Sequence, residues 1–304
     1  DSRSDNPHQV VQVSRGPVNK TDREWIAIGP NAEIYVTYQF RYHYPGAPVM
    51  LTRSFDHGAT FDDPIVALPA DSAGSPVYGA IAVDKAGVIT IVSPMGILGP
   101  DSFTAIRWTQ STTGGASVSA PAPLSEVRAS RPLPPPWDAR SYAFLNFALI
   151  DAAADGSVLL NIPEQLADAG DVPINVYRLA KGGSAFTPIS RANDDGVVTL
   201  HLQNASAMDE NGIYHLTWID ARFGKDDPVP TWDVFYASSN DSGGTFSPNL
   251  KLTSTRFIGD AGVQNGKYAT GELQGVAARG RKVYVTWTTS TGDDPNVYVS
   301  RGSY

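Results

Sequence analysis

Two eight-residue segments share one pattern, and that pattern limits the fold more than any other feature of the chain. Ser54-Phe55-Asp56-His57-Gly58-Ala59-Thr60-Phe61 and Ser239-Asn240-Asp241-Ser242-Gly243-Gly244-Thr245-Phe246 both read Ser-x-Asp-x-Gly-x-Thr-Phe. The chemistry is that of a turn. The Asp carboxylate accepts backbone N–H bonds, Gly takes a positive φ, and the aromatic enters the core where the next strand begins. Asp56 and Asp241 are therefore expected to fasten hairpins, not to act as catalytic acids. Two weaker copies keep the spacing without the acid, at Ser111–Val118 and Leu179–Phe186.

Around these turns one order of strands recurs. Alternating apolar residues and turn residues predict first and second strands at Trp25–Ile28 and Ile34–Tyr38, at Gly79–Val83 and Val88–Val92, and at Phe144–Ile150 and Val158–Ile162. The same pair returns at Ala205–Met208 and Ile213–Ile219, and at Leu273–Ala277 and Val283–Thr288. Third strands follow at Val49–Arg53, Phe103–Thr109, Ile174–Leu179, Val234–Ser238 and Asn296–Arg301. The fifth unit stops after its third strand, whereas Gln9–Val13 reads as a strand with no unit of its own. Pairing that strand onto the last unit closes a ring and removes its open edges. The expectation is one all-β domain over residues 1–304: a β-propeller of four-stranded antiparallel blades, five in number, with six as the alternative.

The repeat resembles the Asp-box, or BNR repeat, of the sialidase superfamily and other β-propellers. The resemblance implies a glycan-processing enzyme, with a Tyr activated by a Glu, an Asp as acid/base and an Arg cluster on a substrate carboxylate. Sialidases carry an aromatic-Arg-Ile-Pro motif at the first inner strand. This chain has Asp22-Arg23-Glu24-Trp25-Ile26 there, so Arg23 alone carries over by position. Six blades are usual in that superfamily, and the repeat arithmetic here gives five.

Composition agrees with a turn-rich β protein and excludes several classes. Of 304 residues, 28 are Gly and 23 Pro, about 17% together against a usual value near 12%. A net charge of −8, spread along the chain, argues against nucleic acid as a partner. With no cysteine there is no disulfide framework, thiolate nucleophile or Cys-ligated zinc. No apolar run reaches the length of a membrane span, so no span is expected, and a secreted or periplasmic monomer is. No organic cofactor or catalytic metal is implied. The paired acids Asp62-Asp63, Asp194-Asp195, Asp226-Asp227 and Asp293-Asp294 lack calcium-loop spacing and read mostly as solvated turns, with a structural calcium as the alternative.

Long loops all fall opposite the boxes, after second strands and between units, and such loops on a rigid scaffold carry function. In them lie Arg41, His43, Trp137, Arg140, Arg222 and Trp232. Aromatic faces suit sugar C–H surfaces, while guanidinium groups suit hydroxyls and carboxylates. Asp22, Arg23, Tyr268 and Glu272 open inner strands, His201 and Gln203 precede one, and Asp220 begins the long loop after a second strand. The expected catalytic groups are Asp22 and Glu272 as paired carboxyl groups, Tyr268 as nucleophile or orienting hydroxyl, and Asp220. Arg23, Arg41, His43, Trp137, Arg140, His201, Gln203, Arg222 and Trp232 are the expected substrate contacts. Paired carboxyl groups are the requirement of glycoside hydrolysis, and the expected substrate is an acidic or furanose-containing glycan. A lectin-like sugar binder and a uronate lyase remain open, because His beside Tyr and Arg is also what abstraction of a proton α to a carboxylate needs.

Overall fold

A computed structural model describes residues 10–14, 21–40, 46–96, 103–124, 147–164, 171–196, 199–227, 231–258, 274–290 and 295–304. They are all-β, with no helix among them. The chain divides into two compact units, residues 1–98 with 107–123, and residues 99–106 with 124–304.

In the first unit, β1 (Thr21–Ile28), β2 (Ile34–Phe40), β3 (Val49–Ser54) and β4 (Ile65–Leu68) form a four-stranded antiparallel sheet in that order. A second sheet contains β5 (Ser75–Pro76), β6 (Ala80–Val83), β7 (Ile89–Gly96), β8 (Phe103–Ser111), which runs from one unit into the other, and β9 (Ala122–Pro123). Period-two alternation sends Tyr35, Val49, Leu51, Ile81, Ile89 and Ile91 into a shared core.

The second unit repeats the scheme. β10 (Leu149–Ala152), β11 (Val158–Pro163), β12 (Ile174–Leu179) and β13 (Phe186–Arg191) make one sheet. β14 (His201–Met208), β15 (Tyr214–Asp220), β16 (Thr231–Ser239) and β17 (Leu250–Lys251) belong to the next, which continues through β18 (Phe257–Ile258) to β19 (Gly275–Arg279), β20 (Lys282–Ser290) and β21 (Pro295–Ser303). Leu159, Val176, Leu216 and Trp218 fill the layer between β10–β13 and β14–β16. Leu202, Ile219, Trp232, Val283, Val285 and Trp287 fill the layer between β14–β16 and β19–β21.

The turns explain why the strands stop where they do. In the first box the Ser54 hydroxyl donates to Asp56 Oδ1 at 2.7 Å and accepts the Gly58 N–H at 2.9 Å, while Asp56 accepts the Thr60 N–H at 2.9 Å and the Thr60 hydroxyl at 2.6 Å. The second box repeats the bonds at 2.7, 2.9, 2.9 and 2.7 Å through Ser239, Asp241, Gly243 and Thr245. Gly58 and Gly243 have φ of 89° and 81°, the left-handed region that the turn requires. Phe246 packs against the core near Tyr214. In the weaker copy at Ser111, Thr113 takes the acid's place and accepts the Ser117 N–H at 3.0 Å.

Each third strand expected from sequence is present, and the last unit ends in its third strand, β21, which pairs with β20. The closing N-terminal strand is a different matter. Residues 10–14 form no strand, and Val10 is 93% exposed. An apolar, alternating pentapeptide gains a strand conformation only from a ladder partner, and residues 10–14 have none. No sheet closes into a ring through them.

Candidate functional site

Two first strands begin with the same irregularity. In β1, Asp22 faces Gln39 and Trp25 faces Thr37, so one extra residue bulges out between them; in β14, Leu202 faces Ile219 and Ala205 faces Thr217, with the same insertion. The bulged residues are Arg23 and Gln203, at φ of 57° and 51°. A non-glycine side chain in the left-handed region costs about 1 kcal/mol or more, and bulges of this kind re-aim a side chain. Asp22 Oδ1 accepts the Arg23 N–H at 2.8 Å and so steadies the bulge. The Asp22 carboxylate is 47% exposed, and the Arg23 side chain 14%.

At the start of β14 lies a buried ionic cluster. His201 faces Asp220 across the hairpin. Its Nδ1–H donates to the Val172 carbonyl at 2.8 Å, leaving Nε2 between Asp195 Oδ1 at 3.1 Å and Asp220 Oδ2 at 3.3 Å. Burial alone would lower the pKa of His201, but hydrogen bonds and charge from Asp195 and Asp220 outweigh it and raise the imidazole to about 9. Burial likewise pushes both carboxyls up, and the same imidazolium, with Arg222 beside it, brings Asp195 and Asp220 below the usual carboxylate range.

Arg222 completes the cluster. Its backbone N–H and Nε donate to Asp220 at 2.8 and 2.9 Å, Nη1 to Asp194 at 2.8 Å, and Nη2 to Asn249 at 2.9 Å. The guanidinium stacks over the Phe235 ring at 4.1 Å. Trp218 Nε1 donates to Asp220 Oδ2 at 3.0 Å, and Asn193 Nδ2 to Asp195 Oδ1 at 2.6 Å. Chemically this is a buried ion network that ties the β13–β14 connection to the end of β15.

Three of the expected site residues, His201, Asp220 and Arg222, thus come together, but their neighbours occupy them. The Asp220 side chain has no exposed surface and the Arg222 donors already have acceptors, so neither faces a ligand. Trp232 is 2% exposed within the core layer, where its ring packs against apolar side chains; the expected stacking platform is a core residue. Gln203 is also buried, at 2%. Asp22 and Arg23 sit together on β1. Arg41, His43, Trp137, Arg140, Tyr268 and Glu272 lie outside the described residues.

Asp195 was not expected here. The pair Asp194-Asp195 reads as a solvated turn in sequence, yet Asp194 is 48% exposed and Asp195 only 4%. Asn193 immediately before them was the available signal, since an Asn-Asp-Asp run can cap its own backbone and spend its acids inward. Among the described residues no group of three or more His, Asp and Glu is arranged to hold a metal ion, and no helix is long and apolar enough to cross a membrane.

No protein-family model matches the chain, and no curated protein matches it in sequence. Solved structures do match in fold. A protein of unknown function from Dyadobacter fermentans DSM 18053 is 15% identical, with 91% of this chain and 77% of that one covered and a TM-score of 0.58. The NanB sialidase from Streptococcus pneumoniae is 11% identical over 97% of this chain and 61% of its own, at a TM-score of 0.58. A polysaccharide lyase of family PL25, an ulvan lyase bound to a glucuronate–sulfated rhamnose disaccharide, is 11% identical over 92% and 64%, at 0.55. The chain spans less than two thirds of the last two. At such identities the likeness is one of fold: this chain has a sialidase-like all-β fold.

Proposed function

We propose that the chain is a carbohydrate-active enzyme, a glycoside hydrolase acting on an acidic or furanose-containing glycan, with its hairpin units as the blades of a propeller. The observation that carries this reading is the Asp22–Arg23 bulge, where strained backbone holds a guanidinium beside a half-exposed carboxylate. Strain at a non-glycine residue persists only where the surroundings over-determine it, and functional sites are where it gathers. A carboxyl group supplies the acid or base of glycoside hydrolysis, and a guanidinium recognises a sugar carboxylate. The fold neighbours named as sialidase and ulvan lyase support the substrate class. Glu272 and Tyr268 keep their proposed roles as second carboxyl group and hydroxyl, and an exported monomer is part of the same proposal.

The test is a panel of acidic and furanose glycans, read by released reducing ends and by ultraviolet absorbance of an unsaturated uronate. Reducing ends without that absorbance support hydrolysis, and both signals together replace it by elimination. Binding with neither signal makes the protein a lectin. Asp22→Asn and Glu272→Gln should each abolish hydrolysis with the melting temperature unchanged. His201 offers little to the lyase reading: its Nε2 is buried between two carboxylates and holds its proton to about 9.

A further inference from the structure

The last sheet has two faces of opposite character. Val283, Val285 and Trp287 of β20 point into the core shared with β14–β16. The alternate residues point outward: Lys282 and Tyr284 of β20, Arg279 of β19 and Arg301 of β21 are all exposed. Register puts them side by side, with Arg279 facing Lys282 and Tyr284 facing Arg301. Residues two apart on one strand are about 7 Å apart, and facing residues on neighbouring strands about 5 Å. Three cations therefore ring a tyrosine that is 40% exposed.

This is unusual in a chain with 31 acidic and 23 basic residues. None of the three cations has an ion-pair or hydrogen-bond partner among the described residues. Glu210 meets the hairpin only at its turn, accepting the Gly280 N–H at 2.7 Å. Like charges on facing strands repel unless something anionic lies across them. Val299, 62% exposed beside Thr286, extends the patch with apolar area.

We propose that Arg279, Lys282, Arg301 and Tyr284 form a surface that binds an anionic polysaccharide. The guanidinium and ammonium groups meet carboxylates or sulfates of successive sugars, and the Tyr284 ring lies against the C–H face of one of them. The charges and the ring stand independently of the catalytic reading; only the choice of a glycan as the polyanion rests on it. The surface holds the polymer and performs no chemistry.

The experiment is affinity electrophoresis of the whole chain through gels containing polygalacturonate, or dextran as the neutral control, over a series of NaCl concentrations. Retardation by polygalacturonate alone, weakening with salt, is expected. Lys282→Gln/Arg301→Gln should lose about tenfold in affinity, and Tyr284→Ala should lose affinity with the salt dependence preserved. Melting temperature and hydrolysis of a short oligosaccharide from the panel above should be unchanged in both. No retardation of the unmodified chain overturns the proposal, as does equal retardation of the double variant. Equally tight binding to phosphatidylserine vesicles overturns it in favour of a membrane surface. Hydrolysis without retention sinks the surface alone, whereas retention without hydrolysis sinks the enzyme reading alone.

Discussion

His201 Nε2 lies 3.1 Å from Asp195 Oδ1, and neither side chain is more than 4% exposed. That contact sets a pH dependence of stability. His201 is raised from 6.5 to about 9, so its charged form contributes fully below 6.5 and the contribution is lost as pH rises through 9. Asp195 and Asp220 are lowered from 3.8, so their contributions are present above that value and lost as pH falls below it. The urea midpoint should therefore be highest between about 4 and 6.5 and decline on both sides. His201→Gln should remove the alkaline decline and cost about 3 kcal/mol at pH 6, since it leaves buried carboxylates short of a partner. A wild-type midpoint that stays level from pH 6 to 9 would contradict the assignment.

How far this cluster could be read in sequence depends on a single residue. Counting back from the Glu210-Asn211-Gly212 turn with an unbroken ladder puts Leu202 opposite Asp220. The bulge at Gln203 shifts the register by one and brings His201 there instead. The strands themselves were legible because alternation and turn residues are local signals: β12 falls where the pattern puts it, and β3 and β16 differ only at their ends. Bulges, and contacts such as His201 with Asp195 across a connection, depend on packing. Alternation is equally blind to whether an edge finds a partner, as Val10–Val13 demonstrates.

Ala32 offers a simple test of the turn chemistry. It sits at φ 64° between β1 and β2, exposed, in a turn closed by the Gly29 N–H to the Glu33 carbonyl at 2.8 Å. Alanine pays a steric cost there that glycine does not, partly offset by the greater freedom of glycine in the unfolded chain. Ala32→Gly should stabilise by about 0.5 kcal/mol in urea unfolding; a loss of stability would mean that the Cβ makes a contact worth more than the strain.

Thr113 marks where a box has lost its acid. Its hydroxyl accepts the Ser117 N–H at 3.0 Å and lies 3.1 Å from the Ser117 hydroxyl, bonds that Asp56 and Asp241 make with two oxygens. Arg53 Nη1 already donates to the neighbouring Gly114 carbonyl at 2.6 Å, so a carboxylate would arrive beside a cation. Thr113→Asp should raise stability by about 0.5–1 kcal/mol, seen as a higher melting temperature that falls back as the new acid is protonated.

Asp241 and Asp22 are both exposed enough to reach solvent, yet their surroundings assign them opposite consequences. Asp241 is held near a pKa of about 2: burial opposes this, but the Thr245 N–H, Ser239 and the Thr245 hydroxyl prevail. Both carboxylate oxygens are engaged within its own turn, which fits a structural role. Asp241→Ala should cost about 1 kcal/mol, the net worth of such bonds at a solvated site, and leave turnover on the identified glycan intact. Asp22 accepts one short bond from the Arg23 N–H and otherwise faces outward. Asp22→Asn keeps that acceptor and removes the charge and the titrating proton, so stability should hold while kcat collapses. Equal effects of the two substitutions on kcat would remove Asp22 from the catalytic role, because a purely structural aspartate in β1 has no reason to differ from one in a turn.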